Sequence, residues 1–324
     1  MKKHFYIYGL MLSLLAIACS DKTESIVKRT TIAMGTSVEI QIAELDEKEA
    51  EDAITVAFNE VKRIDTLLST YIEGHNMWRI NNSMEEKIIV NTEIFQLLKK
   101  VDEYYNLTGG SFDPAIGKLI DLIGFENGNP NLPAANEVLS ALENVGWKKI
   151  KLLDPDTLIK PVGIKINFGA IGQGYATDRA SMILEQMGIK KYLVNVSGEI
   201  FGRGKDWKIG IQHPRQRGQL LGKIIADGKA IATSGDYEQF FNKNGKRYSH
   251  IINPVTGLPA NEIEAVTVIT NDATSADALS TGIFVLGVKK GIELIEQLPD
   301  VEGIIVDSTG TIHQSSGFGN YFQR

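Results

Sequence analysis

The sequence predicts a mixed α+β fold whose sheets are largely antiparallel, with helices packed on one side. Two observations predict it. Before about residue 148, apolar residues recur at helical spacing over two long stretches, and from Lys149 onward short β-rich runs alternate with few helices. No internal repeat or low-complexity tract interrupts this pattern. With 43% apolar residues among 324, the chain has enough core for one large domain or two intimately joined parts, divided softly near residue 148.

The elements follow in order. Lys2 and Lys3 precede an apolar stretch at 5–17 that is short for a membrane span, so residues 1–18 read as a signal peptide. It ends in Leu15-Ala16-Ile17-Ala18-Cys19, which resembles a bacterial lipobox and makes Cys19 the acylated N-terminus of the mature chain. Residues 19–28 read as a polar tether and 29–324 as the body, anchored by lipid to a membrane of the cell envelope and facing the periplasm or outside. Cys19 is the only cysteine, so disulfides, thiolate metal sites and a cysteine nucleophile are excluded from the body. A net charge of −6 argues against a nucleic-acid surface.

Within the body, residues 30–42 alternate around Val38, Ile40 and Ile42 as a strand does. Ala50, Ala53, Val56, Ala57, Val61, Ile64 and Leu68 then predict a long amphipathic helix. Thr92 is the expected N-cap of a second helix running through Ile94, Leu97, Leu98, Val101 and Tyr105 and stopping near Gly109-Gly110. Residues 127–135 form a surface loop. Strands are expected at 150–153, 164–168, 192–196, 207–212, 223–226, 247–252, 303–306 and 311–314, with helices at 172–187, 275–286 and 289–297.

Four polar, glycine-containing segments break the apolar pattern. Gly169-Ala170-Ile171-Gly172-Gln173-Gly174-Tyr175 opens a helix, where free backbone amides attract phosphate; its spacing is not that of a Rossmann fingerprint, and a tight turn explains it equally. Asp277 and Thr281 are four apart, which puts a carboxylate and a hydroxyl on one helical face, both hard oxygen ligands suited to magnesium; helix capping with Ser275 is the alternative. His250 lies on an expected strand before the Asn253-Pro254 and Gly257 turn, able to move a proton or serve the structure. Met34-Gly35-Thr36, Ser69-Thr70-Tyr71 and Ser111-Phe112-Asp113-Pro114 suit an aromatic ligand or a core edge.

In their order and wording, Met34-Gly35-Thr36, Ser111-Phe112-Asp113, residues 169–178, 233–237, 250–259 and 276–281 resemble the ApbE family of FAD:protein FMN transferases, over about residues 30 to 320. The resemblance implies an ApbE-like fold, FAD as substrate, Mg²⁺ bridging its pyrophosphate, and transfer of FMN to a threonine or serine of an acceptor with release of AMP. It implies Ala170, Asp277 and Thr281 as metal ligands, with His250 as base or orienting group. It implies Met34, Tyr71, Ser111, Phe112, Asp113, Asn167, Gln173 and Ile251 as flavin contacts. Asn167 stands where the family often has aspartate and Gln173 where it usually has lysine or glutamate, so FAD affinity or its pH dependence is expected to differ. Acceptors are expected among flavoprotein subunits of membrane redox complexes. Two alternatives remain at this point: an FAD pyrophosphatase giving FMN and AMP, and a non-enzymatic flavin-binding lipoprotein.

Overall fold

The computed structural model describes residues 25–126 and 128–323; the expected signal peptide, Cys19 and most of the tether lie outside the described residues. The principal sheet has eight strands: β1 (Ile26–Ala33), β2 (Thr36–Ala43), β3 (Tyr192–Val196), β4 (Glu199–Arg203), β5 (Lys229–Gly235), β6 (Ile263–Thr270), β7 (Glu302–Asp307) and β8 (Ile312–Gln314). They lie side by side in chain order, and every pair is antiparallel. The helices are α1 (Glu47–Leu68), α2 (Asn76–Asn82), α3 (Thr92–Leu107), α4 (Gly117–Ile123), α5 (Ala135–Leu142), α6 (Gly172–Gln186), α7 (Ala273–Leu286) and α8 (Val288–Gln297).

One face of the sheet carries the main core, in which Val38, Ile40, Ile42, Val194 and Val196 meet apolar residues of α1, α3, α6 and α7. On the other face Leu193, Ile231, Ile269 and Ile304 pack against Trp207, Ile211, Ile224 and Phe318, around a three-stranded sheet of Trp207–Gln212, Leu220–Ala226 and Phe322–Gln323. With both faces covered, β6 is buried along its whole length. The α+β expectation and its antiparallel pairing thus stand. Among the described residues no helix is long and apolar enough to cross a membrane.

Several boundaries differ from those expected. The alternation at 30–42 is a hairpin of two strands, because Met34 and Gly35 adopt φ of 53° and 69° and reverse the chain, so the period of two continues through both arms. The first arm starts at Ile26, and Ile26, Val27 and Lys28 of the expected tether already pair with Ala43, Ile42 and Gln41. The N-cap of α3 is Asn91, whose side chain accepts from the Glu93 amide at 2.7 Å; Thr92 is the first helical residue. Asp272, not Ser275, caps α7, accepting from the Ser275 amide at 2.9 Å. Residues 164–168 run extended but join no ladder. There the Asn81 side chain replaces a strand, donating to the Ile166 carbonyl and accepting from its amide, both at 2.8 Å.

Candidate active site

The cleft opens where the irregular segment 164–171 feeds α6. Two contacts bring the first turn of α6 against α7. The Gly174 amide donates to Asp277 Oδ2 at 2.9 Å, and Asp178, one turn on, accepts from the amides of Ala273 and Thr274 at 2.7 and 2.9 Å. Glycine is required at 174 because a Cβ there would lie 2.2 Å from the Ala273 carbonyl oxygen and 2.7 Å from the Asp277 Cβ. Gly174→Ala is therefore expected to wedge the two helices apart and cost about 3 kcal/mol. Chemical denaturation would detect this, and an unchanged midpoint would show that the helices are free to slide.

The resulting cavity is about 350 Å³ and collects residues from distant parts of the chain. Met34, Ser111, Phe112, Asp113, Asn167, Ala170, Gln173, His250, Ile251, Asp277 and Thr281 all line it. Tyr71 does not; it lines an adjoining cleft of about 270 Å³ with Trp78, Asp121 and Lys165. The two clefts share Glu126 and Asn167 on their common wall.

Met34 enters the cleft from the hairpin turn, fixed in its left-handed conformation by its amide, which donates to Asp65 Oδ2 at 2.7 Å. Asp113 presents less free charge than the sequence implied. Its carboxylate is buried and accepts from the Ala115 amide (2.8 Å) and the Trp147 amide (3.0 Å to Oδ2), so it braces the wall while bordering the cavity. Phe112, also buried, meets Tyr104 edge to face at 6.2 Å.

His250 lies in a bend rather than on a strand: the expected run 247–252 breaks after Lys246–Ser249 and resumes at Ile252–Asn253. The break exposes the ring to the cleft. Nδ1 lies 3.2 Å from the Gln239 carbonyl oxygen, an acceptor only, so the proton resides on Nδ1 and leaves Nε2 with a lone pair. Burial lowers the His250 pKa below its ordinary value, with the Gln239 contact opposing in part, which keeps the ring neutral at pH 7. A neutral imidazole with a free Nε2 is equipped to accept a proton.

Sequence patterns did not point to Glu199 and Glu238, which also line the cavity. Glu199 on β4 is buried, and its Oε2 has no hydrogen-bond partner among the described residues. Burial first, then the neighbouring Asp277 and Glu238 charges, push its pKa well up. Glu238 reaches solvent through the cleft mouth but is surrounded by protein, and burial followed by Asp277 raises its pKa to about 7. Asp277 is likewise raised to about 7 by burial and then by Asp178, against the pull of the Gly174 amide. No lysine or arginine lines the cavity among the described residues.

These carboxyls set a pH dependence. Asp277 and Glu238 titrate near 7 in the folded chain and near 4 when unfolded, so between those values the folded state binds more protons and stability falls as pH rises. In chelator, the melting temperature is expected to drop between pH 5 and pH 8, and Mg²⁺ at pH 8 should recover it. A rise across that window would contradict the electrostatics of the cleft.

Few groups in the cleft could hold a cation. No group of three His, Cys, Asp or Glu side chains capable of holding a metal occurs among the described residues. The donors are instead of mixed kind: the buried Asp277 carboxylate, the Thr281 hydroxyl, held 3.1 Å from Ser234 Oγ, and the backbone at Ala170. An oxygen set this sparse fits an ion that keeps water or phosphate in its remaining positions.

Residues 34–305 match the ApbE family model. A protein of Klebsiella pneumoniae (strain 342) named FAD:protein FMN transferase is 30% identical over 295 residues, covering 89% of this chain and 91% of that protein. One of the same name from Vibrio cholerae is 30% identical over 328 residues, covering 96% and 97%. Among solved structures, the ApbE protein of Thermotoga maritima superposes with a TM-score of 0.85 at 32% identity, covering 93% of this chain and all of that one (100%). Flavin Transferase ApbE from Vibrio cholerae gives 0.83 at 28%, covering 92% and 99%. The match runs from the hairpin methionine at the cleft to the seventh strand of the sheet, and the chain belongs to the ApbE family.

Proposed function

We propose that the protein is an FAD:protein FMN transferase, moving FMN from FAD to a threonine or serine hydroxyl of an acceptor protein and releasing AMP. The observation that carries this is a cleft joining a neutral histidine, the N-terminal turn of α6 and buried carboxylates, with no lysine or arginine among the described residues that line it to meet a pyrophosphate. A dianionic diphosphate entering such a cleft needs a divalent cation. Mg²⁺, held by Asp277, Thr281 and the Ala170 carbonyl, would supply neutralisation of the charge that develops as the phosphoryl group moves.

The chain's own residues account for the rest. Among the described residues the Gly172, Gly174 and Tyr175 amides of the first turn of α6 already donate to Phe168, Asp277 and Ile171, so the Gln173 amide is the one left to meet a phosphate oxygen. Met34, Phe112 and Ile251 provide apolar surface, and Ser111, Asn167 and Gln173 provide hydrogen-bonding groups for the flavin nucleotide. The acceptor oxygen attacks the FMN phosphorus, the bond to the AMP phosphate breaks, and the hydroxyl proton passes to His250 Nε2. Ile251 follows His250 directly, so the base and one apolar wall move together. Asn167 and Gln173 are neutral, and FAD affinity is accordingly expected to vary little between pH 5 and 9 through these two positions.

Mass spectrometry of an acceptor domain incubated with the protein, FAD and Mg²⁺ tests the proposal: a threonine or serine gains the mass of an FMN phosphoester. Release of AMP at the same rate without acceptor, and no mass gain on any acceptor, would replace it by hydrolysis. FAD binding without either product would leave a flavin carrier. The acceptors we propose are flavoprotein subunits of membrane redox complexes, met at the envelope surface through a lipid on Cys19. Fractionation of cells making Cys19→Ala tests the anchor, which predicts release from the membrane.

A further inference from the structure

The loop after α4 carries two residues that border the cleft without a part in the scheme above, Phe125 and Glu126. We propose that Glu126 is a positioning residue: its carboxylate fastens the wall between the two clefts and, through its neighbour Phe125, steadies the His250 ring. This rests on the transferase function proposed above.

The contact is specific in its polarity. Asn167 Oδ1 accepts from the Gly169 amide at 2.7 Å, which fixes the orientation of the side-chain amide and turns Nδ2 away from the phosphate-facing turn. Nδ2 then donates to Glu126 Oε1 at 2.9 Å. An ionised carboxylate accepts only, so the pair is matched, and an aspartate at 167 could keep the Gly169 contact but not this one. Glu126 also borders the side cleft together with Tyr71. The Glu126 carboxylate thus ties the loop after α4 to the segment before α6 at the partition of the two clefts.

Phe125 holds the other end of the same segment. Its ring meets His250 edge to face at 6.3 Å and 75°, and leans on Phe241 at 5.7 Å, which stacks on Tyr248 at 5.2 Å. Gly124, at φ 84°, turns the chain sharply out of α4, so Phe125 and Glu126 leave the helix as a short arm. The arm spans from the Asn167 side of the cleft to the candidate base. Fixing Glu126 therefore limits how far Phe125, and the imidazole beside it, can swing.

The test is a double-mutant cycle with two readouts, FAD affinity by flavin fluorescence quenching and steady-state FMN transfer. Asn167→Asp sets two carboxylates against each other and is expected to weaken FAD about tenfold at pH 8. Adding Glu126→Gln restores a donor and an acceptor in reversed order, and most of the affinity should return. Glu126→Ala is expected to lower kcat about fivefold with KM changed less than twofold, and Glu126→Gln to lose less than Glu126→Ala. Additive affinity losses in the double variant would overturn the contact. Unchanged kcat in Glu126→Ala would overturn the positioning role. A wild-type protein that binds FAD yet transfers nothing refutes the transferase function instead, and the affinity cycle still decides whether Glu126 and Asn167 act together.

Discussion

Asp277→Ala is expected to lower FMN transfer about a thousandfold, the scale of losing a group that stabilises developing charge in a closed site. Asp277 is the one carboxylate in the proposed metal set, it is buried, and the only hydrogen bond to its side chain among the described residues is from the Gly174 amide. The same residue works against the fold when no cation is present, because burial and Asp178 penalise its charge. Asp277→Asn should therefore lose activity comparably while melting higher than wild type in chelator at pH 8. Stopped-flow transfer assays beside thermal melts separate these effects. If Asp277→Ala keeps a tenth of wild-type kcat, the carboxylate is not holding the ion that the diphosphate needs.

The second large effect is expected at His250. Removing a general base typically costs a factor of about 10² to 10⁴, and His250→Ala should fall in that range in kcat with little change in FAD affinity. The wild-type kcat should stay level as pH falls to the ordinary histidine value and decline below it, since burial lowers the pKa and only the neutral ring accepts a proton. In His250→Ala that acid limb should vanish. Single-turnover rates between pH 5 and 9 measure both, and a variant within threefold of wild type would reduce the ring to an orienting role.

The sequence carried much of this site because its chemistry sits in short runs. Helical spacing alone put Asp277 and Thr281 on one face, and the glycine turn before α6 marked the opening of a helix. Glu199 and Glu238 left no such trace. Each is a single acidic residue in a strand or loop, and only the pairing of β4 with β5 and the approach of α7 bring them to Asp277. Tyr71 was grouped with the flavin contacts but borders the side cleft, since the segment after α1 turns toward Trp78 and Asp121.

The fold showed the same split. Amphipathic α1 and α3 were legible because each has one buried stripe. The central strands β5 and β6 were not anticipated: β6 is buried on both faces and shows no alternation, and β5 ends in the polar Thr233-Ser234-Gly235. Residues 164–168 had the alternation of a strand, but Asn81 satisfies the backbone that a neighbour would have paired.

The order of strands in the sheet has a kinetic consequence. Most neighbours are close in sequence, but β2 pairs with β3 from far along the chain, with Val38 opposite Val196. Closing that large loop costs chain entropy before the ladder returns any energy, so docking of the first hairpin is a slow event in assembly. Since that hairpin's turn carries Met34 into the cleft, the ability to hold a ligand there matures later than the strands and helices around it.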